Sequence, residues 1–184
     1  MRKTICAILA MILCLSILVP AAAAEQPEDA CTAMATNNAI CVSNSTDTPD
    51  AHLVRPAVYK IGGYNYFKLR DVAMLLNGSE KQFAVDYDET AKTVSITTGQ
   101  AYRAVGGELT GTAGVSRSAA VSHNPVSIDG RTVTLTAFKI DGENYFKLRD
   151  LGEALDFYVG YDDELKTVFI SGAKGYEKES EADS

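Results

Sequence analysis

From residue 125 to 172 the spacing of apolar positions changes twice. Val126 and Ile128, then Val133, Leu135 and Ala137, stand at every second position, and Asp129-Gly130 lies between the two runs. Alternation of period two marks a strand with one buried face. Asp-Gly between two such runs marks a two-residue hairpin, because a type I′ turn needs positive φ at both central residues. Asp141-Gly142 predicts a second hairpin between 137–140 and 144–146, so three strands are expected in a meander. Leu148, Leu151, Ala154 and Leu155 then recur at helical spacing opposite Arg149, Asp150, Glu153 and Asp156, predicting a short amphipathic helix over 148–156. Phe157, Val159 and Tyr161 return to alternation, Asp162-Asp163-Glu164 turns the chain, and Val168 and Ile170 complete a last hairpin. The expected unit is β-β-β-α-β-β.

Most of that unit occurs earlier as well. Lys60-Ile61-Gly62-Gly63-Tyr64-Asn65-Tyr66-Phe67-Lys68-Leu69-Arg70-Asp71 returns as Lys139-Ile140-Asp141-Gly142-Glu143-Asn144-Tyr145-Phe146-Lys147-Leu148-Arg149-Asp150, with ten of the twelve positions identical. The match resumes where 83–88 and 92–96 parallel 157–162 and 166–170. A helix is expected over 69–77 and strands over 83–87 and 93–97. The opening hairpin is expected to be missing or degenerate, with 52–55 as a substitute strand ended by Pro56. A duplication this close defines the organisation. The expected fold class is α+β, with two tandem repeat units at 52–98 and 125–172, each a small antiparallel β-sheet of hairpins with one short amphipathic helix. A unit of roughly 45 residues is marginal alone, so the two are expected to pack as a pseudo-symmetric pair or to lean on a partner.

The flanks read differently. Arg2 and Lys3, an apolar run over 5–19, Pro20 and Ala21–Ala24 make residues 1–24 a secretory signal peptide, cut near Ala24. No membrane anchor is expected, because the run is shorter than the roughly 20 residues a spanning helix needs. Residues 25–51 are expected as a flexible leader, 99–124 as a Gly/Ser-rich linker with one short strand around 102–105, and 173–184 as an acidic disordered tail. Loss of Arg2 and Lys3 takes the basic residues from 17 to 15 against 24 acidic ones, so the formal charge moves from −7 to −9. Such a chain is repelled by phosphate backbones, which excludes nucleic acid and anionic membrane surfaces as partners. Cleavage also leaves Cys31 and Cys41 as a disulfide candidate in an oxidising compartment.

Asn-Tyr-Phe-Lys-Leu-Arg-Asp, a short helix, then Val-x-Tyr-Asp and Lys-Thr-Val-x-Ile resembles the copper amine oxidase-like N-terminal domain, or stalk domain, of secreted Gram-positive bacterial proteins. Tyr102-Arg103-Ala104-Val105-Gly106-Gly107-Glu108-Leu109 is similar to the segment that joins such units. The resemblance covers about 53–172. It implies an extracellular or cell-envelope module with antiparallel sheet and one helix per unit, often attached to enzymes or other surface domains. It does not imply copper chemistry. Copper amine oxidases look like enzymes with three histidine ligands and a quinone-forming tyrosine within an Asn-Tyr-Asp/Glu context, directly followed by an acid. This chain has only His52 and His123, and Tyr66 and Tyr145 are followed by Phe67 and Phe146. No metal or cofactor is expected.

Candidate contacts come from the motif. Arg70 and Arg149 offer a bidentate fork to an acidic sugar or wall polymer, or else tie each helix to its neighbours, while Asp71 and Asp150 favour the helix N-terminus. Tyr66 and Tyr145 are candidate ligand contacts on an aromatic platform for sugar rings, or else core; with Phe67 and Phe146 on the other strand face, one of each pair should pack and one be partly exposed. No catalytic constellation is expected: Ser116, Ser118 and Ser122 near His123 fall in the linker, and the acids at 86–89 and 162–164 suit turns. The expectation is a secreted, non-catalytic tandem module for cell-envelope association or protein interaction, with a cell-envelope protein or wall polymer as partner. The second reading is a polysaccharide- or peptidoglycan-binding accessory that targets an exported enzyme.

Overall fold

The computed structural model describes residues 30–46, 50–111 and 114–178. The expected signal peptide, the first part of the leader and the end of the tail lie outside the described residues. The first half of the chain forms β1 (Ala30–Thr36), β2 (Ala39–Ser43), β3 (His52–Val54), β4 (Val58–Ile61), β5 (Tyr64–Lys68), α1 (Leu69–Leu75), β6 (Phe83–Asp88) and β7 (Thr93–Thr98). The second repeats that order as β8 (Arg117–Val121), β9 (Val126–Ile128), β10 (Arg131–Val133), β11 (Ala137–Ile140), β12 (Glu143–Lys147), α2 (Leu148–Leu155), β13 (Tyr158–Asp162) and β14 (Thr167–Ser171).

The helices and most hairpin turns fall where the periodicity places them, but the expected strand over 133–137 is interrupted at 134–136, no strand forms over 102–105, and the fold class differs. The chain is mostly β: a closed six-stranded barrel, β1-β4-β5-β12-β11-β8, lies beside two four-stranded sheets, β10-β9-β7-β6 and β13-β14-β2-β3. The halves are not two α+β units with a sheet and helix each. β5 pairs with β12 inside the barrel, β7 runs parallel to β9, and β14 runs parallel to β2. The expected meander is also split, with β9–β10 in a flanking sheet and β11–β12 in the barrel. The cause is that the motif strand is apolar on both faces. Such a strand needs a layer on each side, and one short helix covers only one.

Two core clusters supply those layers. One is built from barrel strands alone, namely Ala33, Tyr59, Ile61, Tyr66, Ala119, Ile140 and Tyr145, and fills the lumen. Alanines on β1 and β8 leave room for the tyrosines of β4, β5 and β12. The other takes Phe67 and Phe146 from the outward face and packs them with Val72, Leu151, Phe83 and Phe157 under the helices and flanking sheets. In the β5–β12 ladder Phe67 stands opposite Phe146, its own counterpart in the duplicated motif, and across the barrel Thr32 stands opposite Ser118. Both ladders are self-complementary, like an isologous dimer interface carried within one chain.

The flanks take part in this fold. β1 and β2 arise from the leader expected to be flexible, with Ala33, Ile40 and Val42 fully buried, and β8 arises from the expected linker. Tyr102, also in that linker, is buried: its N–H donates to Asn77 Oδ1 at 2.9 Å and its hydroxyl to Glu108 Oε1 at 2.7 Å. The described part of the tail repeats the first contact, since the Tyr176 N–H donates to Asp156 Oδ1 at 3.0 Å. The Tyr102 hydroxyl and the Val105 N–H push the Glu108 carboxyl down to about 2. Tyr102→Phe keeps the ring and removes that donor. It is expected to cost about 1 kcal/mol in urea unfolding and to let Glu108 titrate nearer its ordinary range, as a carboxyl NMR titration would read.

The hairpin turns behave as the sequence predicts. Gly62 and Gly63 (φ 57° and 89°), Asp129 and Gly130 (50° and 77°) and Asp141 and Gly142 (49° and 88°) all take positive φ in pairs. The acid-rich loops are turns too: Asp88 Oδ1 accepts from the Thr90 and Ala91 N–H groups, and Asp162 Oδ1 accepts from Leu165. Among the described residues no helix is long and apolar enough to cross a membrane.

Candidate functional site

Two grooves flank the β5–β12 seam, and each is built from both halves. The first, about 410 Å³, joins Lys68, Leu69 and Arg70 at the start of α1 to Lys139, Glu143 and Asn144 of the β11–β12 hairpin, with Asp86 and Tyr87 of β6 as a wall. The second, about 120 Å³, joins Lys147, Leu148 and Arg149 at the start of α2 to Lys60, Tyr64 and Asn65 of the β4–β5 hairpin, with Gly160 and Tyr161 of β13 as the wall. These are the same positions of the duplicated pattern, exchanged between halves. The antiparallel β5–β12 pairing causes the exchange, because it carries the end of each motif strand toward the hairpin turn of the other.

The grooves differ where the motif differs. Glu143 in one copy replaces Tyr64 in the other. In the first groove Lys68 Nζ therefore lies 3.8 Å from Glu143 Oε1 and donates to the Gly107 carbonyl at 3.0 Å. In the second, Lys147 Nζ sits 4.1 Å from the centre of the Tyr64 ring and 3.1 Å from Asp150 Oδ1. Asp71, the counterpart of Asp150, has no such ammonium within ion-pair distance. Its side chain is buried, Oδ1 accepts from the Leu109 N–H at 2.9 Å, and Oδ2 has no partner. Burial pushes its carboxyl up to about 6, against the opposing pull of the Leu109 N–H and Lys68.

The candidates read from the sequence divide. Arg70 and Arg149 do line grooves, one in each. Tyr66 and Tyr145 do not: both are buried in the barrel lumen, edge-on to Phe138 at 5.2 Å and to Tyr59 at 5.3 Å respectively. Burial pushes both hydroxyls up, so they remain neutral. The expectation that one of each Tyr-Phe pair is exposed fails for the same reason as the fold class, since the barrel and the outer layer bury both faces. The exposed rings are Tyr64 and Tyr161 instead, 53% and 39% accessible. Cys31 and Cys41 are free thiols on strands of different sheets, so the expected disulfide is not formed.

Lys60, Asn65 and Lys147 were not singled out in the sequence. The signal was available, because Lys60/Lys139, Asn65/Asn144 and Lys68/Lys147 are identical pairs within the duplicated motif. His52 and His123 are both exposed, and among the described residues no three His, Cys, Asp or Glu side chains gather to hold a metal ion. Neither groove is lined by serine, cysteine or histidine. Both present ammonium, guanidinium, amide and phenol groups, which donate to anions and hydroxyls, and the first also presents the carboxylates Asp86, Glu89 and Glu143. Comparison of the chain with protein-family models, curated proteins and solved structures gives no match.

Proposed function

We propose that the chain is an exported, non-catalytic module that associates with the cell envelope by binding an envelope protein or wall polymer. The observation that carries this reading is the pair of grooves. Each is lined by cations, amides and tyrosine and by no serine, cysteine or histidine; the first adds the carboxylates Asp86, Glu89 and Glu143, and the second has none. The resemblance of the doubled motif to copper amine oxidase-like N-terminal domains supports the same reading, as does the signal-like N-terminus.

The test is co-sedimentation of the purified chain, beginning at residue 25, with washed Gram-positive cell envelopes. Retention is expected, weakened by Lys60→Glu in the second groove and unchanged by Lys178→Glu in the tail. Lys60 is exposed, so its replacement leaves the core intact. An absence of retention on envelopes would overturn the reading.

A further inference from the structure

We propose that the second groove is a subsite for an acidic sugar, a carboxylate-bearing ring within a glycan chain. The inference deepens the envelope reading and rests on it. It comes from the contrast between two grooves built from equivalent positions.

The first groove meets its own polar needs. Ser122 Oγ donates to Asn144 Oδ1 at 3.2 Å, and Asn124 Nδ2 donates to the Tyr87 hydroxyl at 3.3 Å. Lys68 is taken by Gly107 and Glu143, and three carboxylates, Asp86, Glu89 and Glu143, share the lining. An anion entering there meets occupied donors and like charge.

The second groove has the opposite balance of charge. Lys60, Lys147 and Arg149 line it and no carboxylate does, on a chain whose formal charge is −7. Its lining amide Asn65 also lacks the contact that Asn144 makes in the first. Thr36 pairs with Val58 as Ser122 bonds to Ala137, which makes Thr36 the counterpart of Ser122 and Asn65 that of Asn144. Yet Thr36 Oγ1 and Asn65 Oδ1 are both buried without a hydrogen-bond partner. Of the two, Asn65 lines the groove, so its Oδ1 is the acceptor that a bound hydroxyl or water can satisfy.

An acidic sugar supplies each missing group. Its carboxylate meets the ammonium and guanidinium groups, and a hydroxyl, directly or through one water, supplies the donor that Asn65 Oδ1 lacks. Tyr161 offers a ring face for the apolar side of the sugar. Lys147 is already positioned by Asp150 and the Tyr64 ring, and an ammonium has three donors, so it has capacity left for a ligand. A slot of about 120 Å³ suits one ring of a chain rather than the side of a folded protein.

The experiment is calorimetric titration of the purified chain, beginning at residue 25, with tetragalacturonate, neutral maltotetraose and polyglutamate. Tetragalacturonate is expected to bind in preference to both. Lys60→Ala and Asn65→Ala should each weaken it roughly tenfold, the size of one hydrogen-bonded contact. The first-groove counterparts Lys139→Ala and Asn144→Ala should leave it unchanged. If Asn65→Ala unfolds the chain, exposed Lys60 carries the test alone. Equal binding of maltotetraose, equal or tighter binding of polyglutamate, equal loss in the first-groove variants, or no binding of tetragalacturonate would each overturn the proposal. Envelope retention without tetragalacturonate binding overturns the acidic-sugar subsite and leaves the envelope reading standing; failure of both overturns both.

Discussion

Phe67→Ala or Phe146→Ala is expected to cost about 3–5 kcal/mol, enough to unfold a marginally stable domain. Both rings are essentially inaccessible to solvent, at 0% and 1%. They face each other across the ladder that joins the two copies of the motif, and both belong to the cluster under the helices. Removing either ring leaves a cavity at the junction of barrel, helices and both halves, where little can collapse to refill it. Because the two are neighbours, the double variant should depart from additivity by about 0.5–3 kcal/mol. The measurement is urea unfolding followed by tryptophan-free far-ultraviolet dichroism and tyrosine fluorescence. One transition shared by both probes is expected in the parent chain, and each single variant should shift it whole. Two separable transitions, with Phe67→Ala moving only one of them, would show instead that the halves fold independently and would sink the interleaved account.

How much of this was legible in the sequence depends on which interactions are local. Leu148, Leu151 and Leu155 announce a helix through their spacing alone, and Asp141-Gly142 announces a hairpin through its backbone preference; both elements form within a residue or two of expectation. β1 was not legible, because Ala-Cys-Thr-Ala-Met-Ala-Thr carries little apolar periodicity. Its small side chains are selected by the tyrosines across the lumen, a fact that exists only once the barrel is closed. The parallel pairs β7–β9 and β14–β2 were equally hidden, since they join segments far apart in the chain and no turn encodes them. The motif misled in one respect. Tyr66 and Phe67 in adjacent positions suggest one buried and one exposed face, and only the second layer, made from the leader and linker, buries both.

The candidate site was half legible for a related reason. Arg70 and Arg149 stood out as repeated charges and do line grooves, whereas Lys60 joins Arg149 only because β5 and β12 run antiparallel at the seam. Repetition marked the residues but could not show that each groove borrows its second wall from the other copy. The exchange of Tyr64 for Glu143 then sets the hairpin-side neighbour of each lysine, a carboxylate 3.8 Å from Lys68 in one groove and a ring 4.1 Å from Lys147 in the other.

That division of partners has a consequence for pH dependence at Asp71. Burial is the largest influence on this carboxyl and raises it from an ordinary 3.8 to about 6; the Leu109 N–H and Lys68 oppose the rise, while Glu108 and Glu143 add to it. The native state therefore binds more protons than the unfolded chain between about pH 4 and 6, and stability falls as pH rises through that window. Two pH units correspond to about 3 kcal/mol, lost by about pH 6 and absent above it. The lowered carboxyls, among them Glu108 and Asp88, act with opposite sign: their contribution is present above their unfolded values and is lost as pH falls through their native ones. The comparison that isolates Asp71 is therefore with Asp71→Asn, which keeps the acceptor for Leu109 and removes the titration. Plotted as unfolding free energy against pH from 4 to 7, the difference between Asp71→Asn and the parent chain should grow in favour of the variant by about 3 kcal/mol. Parallel curves would mean that the carboxylate is already satisfied in its ionised form. In that case Lys68, and not burial, would govern the start of α1.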